Sequence, residues 1–274
     1  EQQEMKSPMS RTLPVAEVAL HIARGTTALA GLAAGAAVLD DTERARAARF
    51  RFDADRETYR AAHVLLRRAL SAQASPAPAQ WRFVAGGHGR PEIDTAASPA
   101  AAGLRFNLSH SRGLVCCAVT RAAPVGVDGE CRRPLSDRAA LAERFFAPSE
   151  AAAVRAAEAA GPDAAAEHFY ALWTLKEAYV KALGLGLSMG LDRFAFSLGD
   201  GAPRSIGLTP EPDAPWPGGH WRCVLLRLDG GRCQVAAALP APGGARFEMH
   251  LHGPAPLLPP EVAAATPGVE LVPA

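Results

Sequence analysis

The sequence predicts an α+β fold made of two halves. At 274 residues, the chain is long enough for one large domain or two small ones. Patterns typical of strands and of helices occur together in both halves, about residues 11–123 and 124–240. Residues 1–10 are polar and are expected to be a disordered lead or a cloning remnant. The Pro/Ala-rich residues 241–274 are expected to form a mostly unstructured tail.

The first half predicts strands at both ends and helices between them. Residues 15–23 alternate roughly between apolar and polar, as a half-buried strand does. Residues 41–51 and 55–72 contain neither Gly nor Pro and predict two helices, with Asp55 as a possible cap of the second. The remaining predicted segments are a loop over 77–102 and a buried strand over 114–119.

The sequence of the second half predicts helices followed by antiparallel strands. A proline precedes Val125 and Val127, whose β-branched side chains predict another strand. Gly161 and Pro162 separate two earlier helices from a longer one that begins at about Ala164. The two earlier helices are predicted over 138–146 and 149–160, and the final strands over 194–198, 221–228 and 233–239.

The long helix carries a charged stripe. Trp173, Glu177 and Lys181 are four residues apart, so they share one helix face. The neighbouring residues are apolar and aromatic, which predicts that this face is partly buried. Buried charges are costly unless they pair or bind a metal ion. The stripe is therefore either a simple ion pair in solvent or part of a functional site.

A pair of acids lies in the strand predicted at Val125. Asp128 and Glu130 are two residues apart, so both side chains point to the same face of that strand. Two carboxylates on one face repel each other unless a cation lies between them. Together with Glu177 they suit magnesium, which takes few carboxylates, keeps several waters and accepts phosphate oxygens. An exposed strand end with two solvated acids is the alternative.

Small polar side chains precede the apolar run at 114–119. The segment Phe106-Asn107-Leu108-Ser109-His110-Ser111 predicts a turn that presents Ser109 and His110 to an anion. In the alternative, these side chains only satisfy backbone groups of the turn. The triplet at 107–109 also fits a glycosylation sequon, but nothing else in the sequence predicts secretion.

Composition argues against several other classes of protein. The net charge of +1 gives no signal for nucleic-acid binding. The apolar stretch at 26–39 is too short to span a membrane. Neither a P-loop nor a G-x-G-x-x-G motif is present. The five cysteines include no C-x-x-C pair, so we expect reduced cysteines that pack in the core of a cytoplasmic protein.

Five short motifs occur in a fixed order along the chain. They are Gly89-Arg90-Pro91, F-N-L-S-H-S at 106–111, G-V-D-G-E at 126–130, F-F-A-P-S-E at 145–150 and W-T-L-K-E-A-Y-V-K-A-L-G-L-G-L at 173–187. Each is modest alone, but their order and spacing together are specific, and they resemble those of the Sfp-type 4′-phosphopantetheinyl transferases. The resemblance extends from about Arg44 to Leu187, and the domain is expected to continue to about Leu239.

The resemblance implies a fold and a reaction. The fold is two similar α/β subdomains related by a pseudo-twofold, with the active site in the cleft between them. A single chain with both subdomains implies a monomer. The reaction moves the 4′-phosphopantetheine arm of coenzyme A to a serine of an acyl or peptidyl carrier protein, and adenosine 3′,5′-bisphosphate leaves. Magnesium is the implied cofactor, with manganese as a substitute, and the pathways served are fatty acid, polyketide or non-ribosomal peptide synthesis.

The resemblance also implies residue roles. Asp128, Glu130 and Glu177 would hold magnesium. Glu177 would also accept the serine proton, directly or through water. Lys181 would neutralise charge that develops on the diphosphate. The residues implied for coenzyme A are Ser109 and His110 at its phosphates, Arg90 at its nucleotide part, and Arg44 or Arg46 at its 3′-phosphate, with Arg56 or Arg60 as alternatives.

One position departs from the pattern of the family. Gly129 stands where a larger apolar residue is usual. Because it faces away from the expected cation, an isoleucine there is expected to be tolerated or even stabilising if room exists, and to overpack if neighbours already fill the space. Activity is expected to survive in either case. Two other functions remain open: a different magnesium-dependent enzyme acting on a nucleotide diphosphate, such as a hydrolase, and a binding module without catalysis. A mass increase on a carrier protein would separate the transferase from both.

Overall fold

Both halves of the protein contain the same succession of elements. The structure is a computed structural model and describes residues 14–86, 90–121, 123–135, 137–185, 189–210, 220–253 and 261–274. The first half consists of β1 (Ala16–Arg24), α1 (Thr26–Ala33), α2 (Asp41–Ala48), α3 (Asp53–Gln73), β2 (Phe83–Ala85), β3 (Pro91–Ile93), β4 (Arg105–Ser111) and β5 (Leu114–Thr120). The second half consists of β6 (Gly126–Cys131), α4 (Arg138–Phe145), α5 (Pro148–Glu158), α6 (Pro162–Leu183), β7 (Ala195–Leu198), β8 (Arg204–Thr209), β9 (Trp221–Leu228) and β10 (Cys233–Pro240).

This succession is the repeat that the family resemblance implied. In each half, a strand, two short helices and one long helix come before two pairs of antiparallel strands. The first strand of each half pairs antiparallel with the last, as β1 does with β5 and β6 with β10. The prediction of an α+β fold with two similar α/β subdomains is therefore confirmed.

Two sheets pack face to face between layers of helices. Three more strands follow β10: β11 (Ala245–His252), β12 (Glu261–Ala265) and β13 (Val269–Pro273). The first sheet has the order β13-β11-β1-β5-β4, and the second has the order β6-β10-β9-β12-β8-β7. Apolar side chains such as Leu20, Cys116, Val127 and Val235 fill the space between them. Helices α1 and α3 cover the outer face of the first sheet, and α4, α5 and α6 cover that of the second.

The predicted helices and strands agree with the structure to within a few residues. The helix predicted from Asp55 begins at Asp53 instead, so Asp55 lies in its first turn and is not its cap. The long helix of the second half, α6, begins at Pro162. Proline suits the first turn of a helix because it lacks an N–H and fixes φ. The helix ends at Leu183 and is followed by Gly184, which adopts a left-handed conformation. Among the described segments, none of the helices combines the length and hydrophobicity needed to cross a membrane.

The prediction of an unstructured tail is wrong. β11 pairs in parallel with β1, and β13 pairs in parallel with β11. β12 inserts into the second sheet beside β9. Ala245 and Phe247 are buried and alternate with the exposed Arg246 and Glu248, which is a period-two strand pattern. The high Pro and Gly content, which led to the prediction of disorder, belongs mainly to the connections between these strands.

The prediction that all five cysteines are reduced is also wrong. Cys131 and Cys233 form a disulfide between β6 and β10, where they lie directly opposite each other. The two residues are 102 positions apart in the sequence, so only the strand pairing brings them together. Cys116, Cys117 and Cys223 are free and buried, and they pack in the core as predicted.

Gly126 allows α6 to lie directly on β6. A Cβ atom added at this position would collide with the main-chain oxygen of Ala178 and would lie 2.5 Å from the nitrogen of Ala182. Both of these are backbone atoms of the helix, so no side chain can move aside to make room. The glycine therefore sets how closely the helix approaches the strand, and this contact brings the charged residues of both elements together.

We expect Gly129→Ile to destabilise the protein, which is the overpacked outcome of the two that the sequence left open. Residue 129 faces away from Asp128 and Glu130 as predicted, but Leu114 and Cys116 already fill the space. A Cβ atom at this position would lie 2.9 Å from the Leu114 Cδ2 atom and 2.9 Å from the Cys116 Sγ atom. Overpacking of this kind costs about 1–3 kcal/mol, which chemical denaturation can measure.

A compensating variant tests this cause. In the Gly129→Ile, Leu114→Ala double variant, the shortened side chain leaves room for the isoleucine. The double variant should therefore lose less stability than the sum of the two single variants. Additive losses, or a fully stable Gly129→Ile protein, would show that residue 129 is not overpacked.

Candidate active site

Two acidic side chains project from the same face of β6. Asp128 is buried, and Glu130 is half-buried two residues further along. Their expected alternation on a strand is confirmed by the pairing of β6 with β10, which places Ala236 opposite Asp128 and Gln234 opposite Glu130. The strand thus holds two carboxylates side by side under α6.

Helix α6 brings Glu177 and Lys181 close to the two carboxylates of β6. The Lys181 Nζ atom donates hydrogen bonds to Asp128 Oδ1 at 2.6 Å and to Ser109 Oγ at 3.0 Å. The Ser109 hydroxyl donates to the same Asp128 oxygen at 2.8 Å. Burial would lower the pKa of Lys181, but the Asp128 carboxylate, together with Cys116 and Glu177, raises it above its ordinary value. Lys181 therefore stays cationic beside the acids.

The carboxylates of this site carry more negative charge than Lys181 neutralises. Burial first, and then the charge of Asp128, raise the pKa of Glu130 to about 7. The same two causes raise the pKa of Glu177, although Lys181 opposes them. Like charges held close together disfavour ionisation of one another. A cation placed among Asp128, Glu130 and Glu177 would remove this repulsion.

Two buried carboxylate oxygens indicate whether these residues could bind a cation. Asp128 Oδ2 and Glu177 Oε1 are buried and have no hydrogen-bond partner. Such atoms are costly to bury, and hard divalent cations prefer carboxylate oxygens. Within the described ranges, however, no three His, Cys, Asp or Glu side chains form a ready metal-binding cluster. The chemistry of the donors fits magnesium, while the side chains do not form a closed coordination sphere.

The segment that contains Ser109 and His110 is a strand, so the predicted turn is wrong. In β4 the side chains alternate: Ser109 faces Asp128 and Lys181, while His110 faces the ring of Tyr59 on α3 at 6.5 Å. Burial lowers the pKa of His110, and the positive charges of His63, Lys181 and Arg46 lower it further. The side chains of Ser109 and His110 therefore lie on opposite faces of β4. Their contacts with coenzyme A stay predictions.

Asn107 is a positioning residue that sequence reasoning did not identify. Its Oδ1 atom accepts a hydrogen bond from the Val127 backbone N–H at 2.9 Å. This bond ties β4 of the first half to β6 of the second, one residue before Asp128. Asn107 and Ser109 lie two residues apart in β4, so they share a face. A strand assignment for this segment would have revealed that relation.

Arg90 lies between the two halves and bonds to main-chain carbonyls. Its guanidinium donates to the oxygen of Lys181 at 2.8 Å, to that of Val125 at 3.3 Å, and to that of Phe106. Burial lowers its pKa. These bonds tie the end of α6 to the first half. The predicted contact of Arg90 with the nucleotide of coenzyme A stays a prediction, and the neighbouring Gly89 lies outside the described residues.

The predicted arginines of α2 differ in their surroundings. Arg44 bonds to the carbonyl oxygen of Leu39 and to Asp41, so its guanidinium is tied back to its own helix. Arg46 lines a cavity of about 820 Å³ together with Arg49 and Phe50. Of the alternatives, Arg56 bonds to Asp53 and to the Phe50 carbonyl oxygen. Arg46 is therefore the better placed of the two predicted residues to meet an anion.

Two family models match successive parts of the chain. One, described as 4′-phosphopantetheinyl transferase, N-terminal, matches residues 28–122. The other, described as 4′-phosphopantetheinyl transferase superfamily, matches residues 124–236. The boundary between the two matches coincides with the junction of the two structural repeats. The fold and the acidic site, together with these matches, define the class of protein as a phosphopantetheinyl transferase.

Individual relatives agree with this class. The chain is 37% identical to the 4′-phosphopantetheinyl transferase HetI of Nostoc sp. over 176 residues, which are 64% of this chain and 71% of the relative. It is also 34% identical to the 4′-phosphopantetheinyl transferase Sfp of Bacillus subtilis over 152 residues. These residues are 56% of this chain and 62% of that relative. The chain belongs to the 4′-phosphopantetheinyl transferase family and is Sfp-like. It is an enzyme of the class that transfers phosphopantetheine from coenzyme A to carrier proteins.

Proposed function

We propose that this enzyme catalyses a magnesium-dependent transfer of the 4′-phosphopantetheine arm to a serine of an acyl or peptidyl carrier protein. The observation that carries the proposal is the meeting of Asp128, Glu130, Glu177 and Lys181, with two carboxylate oxygens buried and unpartnered. A group of acids beside one lysine is suited to hold a diphosphate through a divalent cation. One chain supplies both halves of the site, which supports activity as a monomer.

In the proposed reaction, the serine hydroxyl oxygen forms a bond to the β-phosphorus of coenzyme A. The bond from that phosphorus to the oxygen bridging the two phosphates breaks, and adenosine 3′,5′-bisphosphate leaves. The serine proton is lost in the same process. Transfers of this kind depend mainly on positioning and charge stabilisation.

The acidic residues would position the cation and accept the proton. Asp128, Glu130 and Glu177 would hold magnesium, and manganese is a suitable substitute because both ions prefer oxygen ligands. When bound, magnesium would draw negative charge from the diphosphate. Glu177 would accept the serine proton, directly or through a water, since its buried Oε1 atom has no hydrogen-bond partner among the described residues.

Lys181 would stabilise the leaving group. Its ammonium group is held at 2.6 Å from Asp128 and keeps its charge because of that contact. From this position beside Asp128, the ammonium group of Lys181 would approach the departing phosphate oxygen. An ammonium group fixed where negative charge develops stabilises the transition state.

We expect transfer to require a divalent cation. The protein, coenzyme A and a panel of apo carrier proteins are incubated together, and the mass of each carrier is measured. With magnesium, one carrier should gain one phosphopantetheinyl group, and manganese should serve as well. Chelator-treated protein should give no mass increase until magnesium is restored. Full transfer in the chelator would contradict the metal assignment, while cleavage of coenzyme A without a modified carrier would indicate a hydrolase.

A further inference from the structure

Three histidines lie together on the outer face of the first sheet and form a histidine cluster. His21 on β1 is directly opposite His250 on β11, and His252 follows two residues later on the same face of β11. Ala19 and Ala23, which flank His21 on that face, pack beneath α1 and α3. His21 and His252 are 231 positions apart in the sequence, so the pairing of β1 with β11 is what brings them together.

The three imidazole rings of the histidine cluster are in direct contact. The ring of His21 stacks on that of His250, with 4.3 Å between the centroids and an angle of 11° between the planes. The Nδ1 atom of His21 lies 2.9 Å from the Nε2 atom of His252, a hydrogen bond in which one nitrogen donates and the other accepts. The rings of both β11 histidines therefore meet at His21.

Two ring nitrogens of the histidine cluster are buried without a partner. The Nε2 atoms of His21 and His250 form no hydrogen bond with any of the described residues. His21 is 3% exposed, so its ring is shielded from solvent. Glu248 places its Oε1 atom 3.6 Å from His250 Nε2, which is too long for a hydrogen bond. Buried polar atoms without a partner are uncommon, and a bound ion is one of their explanations.

His21 and His252 are uncharged at neutral pH. Burial first, and then repulsion from the other two histidines, lower the pKa of His21 to about 3. Burial, His250 and Arg68 lower the pKa of His252 below its ordinary value. A neutral imidazole has a lone pair on one nitrogen, and this is the form that binds metal ions. The positive charge of Arg68 opposes a cation at this place, while the nearby carboxylate of Glu248 favours one.

The spacing of the rings suits a transition-metal cation. Two nitrogens bound to one zinc ion at about 2.0–2.1 Å lie roughly 3.3 Å apart in tetrahedral geometry, close to the separation between His21 and His252. As placed in the described ranges, the side chains do not form a ready metal-binding group, because the stacked rings of His21 and His250 do not direct their nitrogens at one point. His250 and His252 are only half-buried, so rotation of their rings can turn the nitrogens inward.

We propose that His21, His250 and His252 bind a divalent transition-metal cation of the zinc class, through one nitrogen of each imidazole. Imidazole nitrogens suit zinc, copper and nickel, whereas magnesium prefers oxygen, so this site is distinct from the acidic site between β6 and α6. Three protein ligands leave a fourth position for water, which can reach the site past the partly exposed His250. The cation would fasten β11, the first strand that follows the two repeats, to β1.

The test measures zinc binding without coenzyme A or a carrier protein. Metal-free protein is titrated with zinc by calorimetry in excess magnesium, which occupies sites made of oxygen ligands. The wild type should bind one zinc ion at the histidine cluster, and zinc should raise its melting temperature. His250→Gln should bind zinc more than about a hundredfold more weakly, because loss of a ligand costs more than loss of an outer partner of a ligand, which costs about ten- to a hundredfold.

Two matched variants separate the histidine cluster from other metal ligands. His168→Gln removes a half-buried imidazole from α6 and should bind zinc as the wild type does. Glu177→Gln alters the acidic site and should also retain zinc binding. Cobalt is a spectroscopic probe of the same site. Nitrogen ligands in tetrahedral geometry should give visible absorption bands in the wild type and in both controls, and these bands should be absent from His250→Gln.

His252→Gln removes another ligand and replaces His250→Gln if that variant fails to fold. Unchanged zinc affinity in a folded His250 or His252 variant would overturn the proposal, and so would a wild type that binds no zinc. Loss of zinc binding in Glu177→Gln would also overturn it, since the ion would then lie at the acidic site.

Discussion

Replacement of Glu177 by glutamine is expected to reduce phosphopantetheine transfer by about a hundredfold or more and to leave the fold intact. Glutamine keeps the shape of the side chain but removes a charge for the cation and the proposed proton acceptor, and loss of a general base alone costs about 10²–10⁴-fold in rate. The Oε1 atom of Glu177 has no hydrogen-bond partner, so the substitution breaks no bond at that atom. Because burial and Asp128 disfavour the charge of Glu177, its removal should leave the melting temperature unchanged or raise it.

Transfer rate and thermal melting of Glu177→Gln are measured side by side. Glu158→Gln, an exposed acid on α5, is the control and should match the wild type in both measurements. A rate within about threefold of the wild type, which corresponds to under 1 kcal/mol of barrier, would remove Glu177 from the mechanism. A large fall in melting temperature would instead show that the residue is structural.

The acidic site was predictable because local periodicity determines it. Asp128 and Glu130 share a face because strand side chains alternate, and Glu177 and Lys181 share one because helix residues four apart do. The contact between α6 and β6 does not follow from local periodicity. It depends on Gly126, whose missing side chain lets α6 approach β6, and the sequence alone does not show that this glycine contacts the helix. The motif resemblance therefore supplied what periodicity lacks, namely that the two segments meet.

The wrong predictions concern contacts between residues that are distant in sequence. Cys131 and Cys233 become neighbours through the pairing of β6 with β10, which their spacing does not reveal. The tail was judged by composition, although Phe247 and its alternating neighbours form a strand that needs β1 as its partner. Gly129 faces the predicted way, but the atoms that fill the space come from β5. In each case the missing information is the identity of the tertiary neighbour.

Loss of Lys176 is expected to destabilise the protein by about 3–5 kcal/mol, since Lys176→Met leaves the Glu150 carboxylate buried without its cation. Both side chains are fully buried, and the Lys176 ammonium also donates to the Phe194 carbonyl oxygen at 2.8 Å. Burial raises the pKa of Glu150 despite the lysine and lowers the pKa of Lys176 despite the glutamate. Chemical denaturation measures the loss. Arg155→Met, which breaks the exposed pair with Glu143, should cost at most about 1 kcal/mol.

The double variant Glu150→Gln, Lys176→Met shows whether the cost of the single change comes from an uncompensated charge. Glutamine still has a carbonyl oxygen to accept from the Ala147 or Phe196 backbone N–H groups that now bond to the carboxylate. With both charges absent, the double variant should be more stable than Lys176→Met alone, because removal of a whole buried pair costs less than removal of one partner. If it is less stable, the hydrogen bonds that the Glu150 carboxylate accepts from the Ala147 and Phe196 backbone N–H groups outweigh the cost of its unpaired charge. The same reasoning extends to Glu43 and Arg67, the equivalent pair in the first half, where His63 adds a third partner.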